Sequence, residues 1–186
     1  MIASVFNKDI FEVLTIFSMS PGSRFSRKEL KEKTRLNNVN LDNALNSLIN
    51  ADIIKKERKY FSFNLEGNKE IITLVSKEYK KLKEIPLDSY FSVINIIFLL
   101  NKFRKISVYL FGSYAKLVFR EGSDMDIAVI SNSINDKGRK KINEGAQKIE
   151  RKYGKRIEVH YFGMNFYKNR KDPLVKEIIK NGVKLI

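Results

Sequence analysis

Two carboxylates stand at the start of an apolar segment in the second half of the chain, where they could bind a metal ion. Asp124 and Asp126 flank Met125, and residues 127–130 continue as an apolar run typical of a buried strand. Because side chains alternate along a strand, both aspartates are expected on one face. Neighbouring carboxylates repel each other unless a cation lies between them, and such oxygen ligands suit Mg²⁺. The pair therefore predicts a divalent-metal site.

A glycine–serine pair ends the preceding apolar segment and could bind a phosphate. Gly112 and Ser113 follow residues 108–111, and the backbone N–H groups of such a turn can donate hydrogen bonds to an anion. We attribute the glycine to a close approach of backbone and phosphate, which a Cβ would crowd. A phosphate site beside a metal site predicts phosphoryl or nucleotidyl transfer.

The spacing of these residues resembles the signature of the minimal nucleotidyltransferases of the DNA polymerase β superfamily. Ten residues separate Ser113 from Asp124, and one residue separates Asp124 from Asp126. The resemblance covers residues 87–186 and implies a mixed sheet flanked by helices, with a third carboxylate on a later strand. Glu158 is the only acid in the predicted strand at residues 156–163, although the family often has aspartate there. His160 shares the face of Glu158 and is given no role, because a lone histidine is more often structural.

The resemblance implies a two-metal nucleotidyltransferase that moves a nucleoside monophosphate from a nucleoside triphosphate, with ATP expected, to an acceptor hydroxyl. Two Mg²⁺ ions are the implied cofactors. The expected catalytic and metal-binding residues are Asp124, Asp126 and Glu158. The expected nucleotide-binding residues are Gly112, Ser113 and Lys116. Leu117 departs from the family, in which glycine is common. Related enzymes modify antibiotics, RNA or partner proteins, and in toxin–antitoxin pairs the nucleotidyltransferase modifies a helical toxin.

Residues 1–66 are predicted to form a winged helix-turn-helix domain. Apolar residues recur at helical spacing over residues 10–17, Ser26 and Glu29 form a capping box, and Asn37 precedes a third helix. Residues 53–63 are typical of a β-hairpin. Three helices followed by a hairpin resemble the winged-helix superfamily, whose third helix normally lies in the DNA major groove. A protein-docking or dimerisation role is the alternative.

DNA binding would use basic side chains for phosphates and asparagines for bases. The candidates are Arg27, Lys28, Asn40, Asn43, Lys55, Lys56, Arg58 and Lys59. Residues 37–51 contain no lysine or arginine, which counts against this function. The net charge of +15 favours a polyanionic partner, but scattered lysines also serve solubility alone.

Between the two domains, residues 67–86 are predicted to form a connecting helix that Pro86 ends. Residues 87–104 are predicted to form a helix that is apolar nearly all round. Such a helix must be covered by the catalytic sheet and the winged helix, or by a second copy of the chain in a homodimer. The predicted fold class is α+β, with domains at residues 1–66 and 87–186 joined by this connector.

The composition fits a soluble cytoplasmic protein without a membrane partner. The chain of 186 residues contains no cysteine, so disulfide frameworks and zinc–thiolate sites are excluded. Residues 91–100 form the longest apolar run, which is too short to span a bilayer. Two alternatives to an enzyme stay open. One is a DNA-binding transcriptional regulator whose nucleotidyltransferase domain only binds nucleotide, and the other is an interaction scaffold.

Overall fold

The computed structural model describes residues 6–80, 82 and 84–186, with the backbone alone for residues 79 and 80. The chain divides into two compact units, residues 1–83 and 84–186. Residues 1–5 of the predicted N-terminal domain and residues 81 and 83 of the predicted connector lie outside the described residues.

The first unit contains four helices and one small sheet within its described residues. The helices are α1 (Lys8–Met19), α2 (Arg27–Thr34), α3 (Asn38–Asn50) and α4 (Lys69–Lys80). The strands are β1 (Arg24–Ser26), β2 (Ile54–Glu57) and β3 (Tyr60–Phe63), and they form an antiparallel sheet in the order β1-β3-β2. The predicted capping box is present, because Ser26 and Glu29 satisfy each other's backbone N–H groups at the start of α2.

The helices of the first unit enclose an apolar core and also include the segment predicted as a connector. The core side chains are fully buried or nearly so, and they include Phe11, Leu14, Phe17, Leu30, Leu41, Leu45 and Leu48. Helix α4 packs against α1, and its residues fall within the first unit. Its one fully buried described side chain, Val75, explains the contact.

The second unit is a four-stranded mixed sheet with helices, as the resemblance implies. Its helices are α5 (Leu87–Leu100), α6 (Gly112–Ala115), α7 (Asp136–Tyr153) and α8 (Pro173–Asn181), with a 3₁₀ helix at Met164–Lys168. Its strands are β4 (Ser107–Phe111), β5 (Met125–Ile130), β6 (Ile157–Phe162) and β7 (Val183–Lys184), in the order β6-β5-β4-β7. Strands β5 and β6 are parallel, and the other pairs are antiparallel.

The sheet buries both of its faces, and one end of one face carries the acidic residues. Phe111, Ala128 and Ile130 pack with Val175 and Ile178 of α8 on that face. Because side chains alternate, Val108, Leu110, Ile127 and Val129 occupy the opposite face, where all four are buried. Asp126 shares the face of Ala128 and Ile130 but is only partly buried, so it lies near the limit of this core.

The apolar helix α5 packs against α7 of the same unit. The rings of Phe91 and Tyr153 lie 6.1 Å apart, and the Asn95 amide donates a hydrogen bond of 3.3 Å to the Tyr153 hydroxyl. Helix α7 thus covers part of α5. The sequence-based alternatives for this cover were the sheet with the winged helix, or a second copy of the chain, and they did not include α7. Within the described residues, no helix combines the length and apolarity needed to cross a bilayer.

Candidate functional site

The parallel pairing of β5 and β6 brings Asp126 and Glu158 side by side. Asp126 lies opposite Glu158 in the register, and Ala128 lies opposite His160. Since residues two apart share a face, Glu158 and His160 point to the side of the sheet that carries Asp126. Ligand atoms of Asp126, Glu158 and His160 all lie within 4.8 Å of one another. This trio could hold a metal ion.

His160, which sequence reasoning set aside, lies between the two carboxylates. Its Nε2 atom is 3.7 Å from Oδ1 of Asp126 and 3.6 Å from Oε1 of Glu158. The imidazole also meets the Phe111 ring edge-on, with centroids 5.2 Å apart. Nε2 is buried and has no hydrogen-bond partner among the described residues. In the sequence, the position of His160 two residues after Glu158 was the feature that could have indicated a place in the site.

Asp124, the other aspartate of the predicted metal site, lies one residue before β5, and its Oδ2 atom is 3.5 Å from Nη1 of Arg156. Among the described residues, the group whose ligand atoms lie within 4.8 Å of one another consists of Asp126, Glu158 and His160, without Asp124. Its charge nevertheless acts on Asp126. Arg156, which immediately precedes β6, therefore pairs with Asp124.

The surroundings of Asp126 disfavour its negative charge. Burial is the main cause that raises the pKa of Asp126, and the charges of Glu158 and Asp124 add to it. His160 acts in the opposite direction. A cation bound between these groups would offset the repulsion, so the electrostatics of the site fit a metal ion.

Gly112 lies directly against Asp126. Its φ is +71°, and a Cβ at this position would overlap Oδ2 of Asp126 and lie 3.0 Å from its Cγ. This close approach to a carboxylate of the chain itself is a requirement for glycine that the sequence did not indicate, and the predicted approach to a phosphate stays a prediction. Gly112 allows the β4–α6 turn to lie directly against the candidate metal ligand.

The other residues predicted for nucleotide binding lie on the turn that follows. Ser113 is partly buried in α6, and its carbonyl accepts a hydrogen bond of 3.0 Å from the Val118 N–H. The Lys116 ammonium lies 2.9 Å from Oε1 of Glu177 on α8, so a carboxylate already balances its charge. Leu117 has a left-handed φ of +59°, a conformation that favours the glycine expected here from the family resemblance.

A separate cleft of about 590 Å³ opens at the opposite end of the same strands. Its lining includes Ser107, Ile130 and Met164. Ser107 pairs with Ile130 at one end of β4, whereas Phe111 pairs with Asp126 at the other. Four residues of strand amount to roughly 13 Å, so this cleft is not part of the acidic site.

In the first unit, several side chains predicted for DNA binding have acidic partners. Arg27 donates two hydrogen bonds to Asp42, at 2.7 and 2.9 Å, and this pairing raises the pKa of Arg27. The paired lysines are Lys28 with Glu32, at 3.9 Å, and Lys55 with Glu66, at 3.5 Å. Asn40 and Asn43 line a small cleft of about 210 Å³ beside the start of α1. The basic residues exposed at the hairpin tip are Lys56, Arg58 and Lys59, and the acidic Glu57 is exposed beside them.

A comparison with known proteins gives a match within the second unit. Residues 96–186 match the family model of the nucleotidyltransferase domain, and this range contains the whole β4–β7 sheet. No curated protein matches the chain. Members of the matched family typically use divalent metals, which accords with the Asp126, Glu158 and His160 group. Residues 96–186 are thus similar to the nucleotidyltransferase domain, and nucleotidyl transfer is the general chemistry that this match supports.

Proposed function

We propose that the second unit transfers a nucleoside monophosphate from a nucleoside triphosphate, with ATP as the expected donor, to an acceptor hydroxyl. One observation carries this proposal. Asp126 and Glu158 are register partners on adjacent parallel strands, and Gly112 lies against Asp126, within the segment that matches the nucleotidyltransferase domain. A carboxylate pair that can hold divalent ions, beside a backbone turn that can bind phosphate, is suited to nucleotidyl transfer.

The residues that would hold divalent ions are Asp126 and Glu158, with Asp124 at the edge of the group. The partly buried carboxylate of Asp126 and the unpartnered Nε2 of His160 support a cation at this site. Two Mg²⁺ ions are the expectation from the family resemblance. When bound, divalent ions supply positive charge to the triphosphate and lower the pKa of an attacking hydroxyl.

The remaining steps belong to the chain's own residues. The acceptor oxygen forms a bond to the α-phosphorus, the bond from that phosphorus to the bridging oxygen breaks, and pyrophosphate leaves. Glu158 can accept the proton of the acceptor hydroxyl, since its side chain is 53% exposed and therefore accessible. The backbone N–H groups after Gly112 and the Ser113 hydroxyl would donate hydrogen bonds to the departing phosphates.

The test is to follow labelled nucleotide into an acceptor. The full chain is incubated with each of the four α-labelled ribonucleoside triphosphates, Mg²⁺ or Mn²⁺, and lysate of the source organism. We expect label in one acceptor, with equal pyrophosphate release, and loss of both in Asp126→Asn and Glu158→Gln. Glu144→Gln on α7, an exposed position, serves as the matched control. Full transfer by Asp126→Asn would contradict the proposal. The class of the labelled acceptor decides between a partner protein, RNA and a small molecule.

A second candidate function concerns the first unit, and the exposed basic hairpin favours it. We propose as the alternative that this unit is a winged helix that binds duplex DNA through Lys56, Arg58 and Lys59, with the second unit only binding nucleotide. These side chains are exposed at the tip of the β2–β3 hairpin. The Lys56 and Lys59 ammonium groups lie 5.7 and 5.4 Å from the Phe61 and Tyr60 ring centroids.

Salt dependence separates this alternative from the enzyme. Binding of labelled duplex DNA is measured at several salt concentrations, for the wild type and for the triple variant in which Lys56, Arg58 and Lys59 become alanine. Loss of three phosphate contacts is expected to reduce the salt slope by about 3. A triple variant on α7, with Lys137, Lys140 and Lys141 replaced, provides the charge-matched control. An unchanged slope in the hairpin variant would contradict DNA binding by the hairpin.

A further inference from the structure

We propose that His160 is a metal ligand together with Asp126 and Glu158, and that it makes the site select a first-row transition-metal ion over Mg²⁺. This inference rests on the proposed function only in that both concern the same site. It departs from the expectation of a site made of carboxylates alone. The ion class that it names is the divalent transition metals, such as Mn²⁺, Co²⁺ and Zn²⁺.

The spacing of the three side chains fits ligands of one ion. Nε2 of His160 lies 3.7 Å from Oδ1 of Asp126 and 3.6 Å from Oε1 of Glu158. Ligand atoms about 2.1 Å from one ion, at tetrahedral or octahedral angles, are separated by roughly 3.0–3.5 Å. The observed separations are slightly larger than these values and too long for hydrogen bonds. All three ligand atoms lie within 4.8 Å of one another, so small movements of the side chains would bring them to one ion.

The state of Nε2 is an independent observation that indicates a ligand. This nitrogen is buried, yet it has no hydrogen-bond partner among the described residues. A buried polar atom without a partner destabilises the fold unless something bound satisfies it. The carboxylates beside it exclude an anion, so a cation that all three groups coordinate is the occupant that satisfies them together.

The strands hold the imidazole in this orientation before any ion binds. His160 lies opposite Ala128 in the β5–β6 register, and the small alanine side chain leaves room for the imidazole on that face. The Phe111 ring meets the imidazole edge-on at 5.2 Å. This packing directs Nε2 toward Asp126 and Glu158.

The donor set determines the choice of ion. Carboxylate oxygens suit Mg²⁺, Ca²⁺ and Mn²⁺, whereas an imidazole nitrogen adds affinity for transition-metal ions and adds little for Mg²⁺. One nitrogen with two carboxylates is therefore expected to favour a transition-metal ion. Replacing that nitrogen with a carboxylate should reduce the preference.

The experiment uses the fact that His160 is the only histidine and that the chain contains no cysteine. The tag-free full chain is titrated with Mn²⁺, and free Mn²⁺ is followed by electron paramagnetic resonance. Electron spin-echo envelope modulation spectroscopy of the bound Mn²⁺ then reports whether an imidazole nitrogen is coordinated. Because no second histidine exists, such a signal assigns the ligand to His160. The wild type is expected to show it, and His160→Gln is expected to lack it.

Competition with Mg²⁺ measures selectivity. We expect His160→Gln to raise the Kd for Mn²⁺ about tenfold or more and to leave the Kd for Mg²⁺ within about threefold of its wild-type value. His160→Asp restores a third ligand as an oxygen, so it should bind Mg²⁺ more tightly than His160→Gln does and have a smaller Mn²⁺-to-Mg²⁺ preference than the wild type. Circular dichroism and thermal unfolding check that the variants are folded, and Glu144→Gln is the control for removal of an acidic group outside the site.

The outcomes separate this inference from the proposed function. Bound Mn²⁺ without imidazole coupling in the wild type, or unchanged Mn²⁺ affinity in folded His160→Gln, overturns the inference and leaves nucleotidyl transfer standing. Imidazole coupling in the wild type that His160→Gln removes supports the inference, even if no triphosphate is ever consumed.

Discussion

Gly112 and Asp126 approach each other so closely that no other residue type fits at position 112 without displacing the carboxylate. The added Cβ of any other residue would overlap Oδ2 of Asp126 and lie 3.0 Å from its Cγ. The φ of +71° at Gly112 adds a second requirement for glycine. The turn after β4 and the candidate metal ligand on β5 therefore depend on each other.

Gly112→Ala is expected to reduce both stability and transfer. The left-handed backbone alone costs an alanine about 1 kcal/mol, and the overlap with Asp126 adds to that cost and displaces the carboxylate. Gly154→Ala is the matched control, because Gly154 has a φ of +67° with no atom within 4 Å of the added Cβ. Urea unfolding and labelled-nucleotide transfer check the pair. Equal effects of the two substitutions would show that contact with Asp126 is unimportant.

Leu117→Gly is expected to stabilise the second unit. Leu117 has a φ of +59°, and its side chain is exposed, so few contacts are lost on truncation. Relief of a left-handed leucine gains about 1–2 kcal/mol, and the greater freedom of glycine in the unfolded chain removes about half of it. The expected net gain in the free energy of unfolding is about 0.5–1 kcal/mol. Leu117→Ala keeps the Cβ and should show no such gain in chemical denaturation.

Asp126→Asn is expected to stabilise the metal-free protein at neutral pH. Burial raises the pKa of Asp126, and Glu158 and Asp124 add to the effect, so the folded chain retains this proton to a higher pH than the unfolded chain does. Stability therefore declines as the pH rises through the window above the ordinary pKa, and it stays lower at neutral pH. Asparagine carries no charge and avoids that loss.

The measurement is urea unfolding of wild type and Asp126→Asn in chelator, at about pH 7 and about pH 3. The gain should be present at neutral pH and vanish in acid, where wild-type Asp126 is itself protonated. A variant that is less stable than wild type at neutral pH would show that Asp126 makes a favourable contact as an anion.

Lys116 and Glu177 provide a test of nucleotide binding by the lysine. Their ion pair joins the turn after α6 to α8, and it lowers the pKa of Glu177. If Lys116 moves to the triphosphate, Lys116→Gln should raise the KM for the triphosphate several-fold, whereas Glu177→Gln, which frees the lysine, should lower it or leave it unchanged. Steady-state kinetics of the two variants provides the comparison. Parallel increases in KM would indicate that the ion pair only positions the turn.

The carboxylate pairing was predictable in part from the sequence, and the reason lies in strand periodicity. The apolar run after Asp126 and the alternation around Glu158 located both strands, and the family resemblance made them neighbours. The role of Asp124 was harder to predict, because a residue just before a strand need not follow its alternation. Its partner, Arg156, stands just before the neighbouring strand, and no local pattern indicates that pairing.

His160 was missed because its importance arises only from the neighbouring strand. Considered alone, a single histidine two residues after Glu158 is an ordinary occupant of a sheet face. The carboxylate of Asp126, 3.7 Å away, belongs to a segment more than thirty positions earlier in the chain. The Lys116–Glu177 ion pair was missed for the same reason, since local patterns do not reveal contacts between distant segments.

The parallel β5–β6 pair, bridged by α7, has a consequence for how this site can evolve. Substitutions on the exposed surface of α7 leave the register unchanged, so that surface can drift. A deletion of one residue at the start of β6 would instead turn Val159 and Tyr161 toward Asp126 and carry Glu158 and His160 to the opposite face. Many residues between the two strands can therefore be substituted during evolution. A one-residue shift in the pairing of β5 with β6 would instead remove the site in a single event.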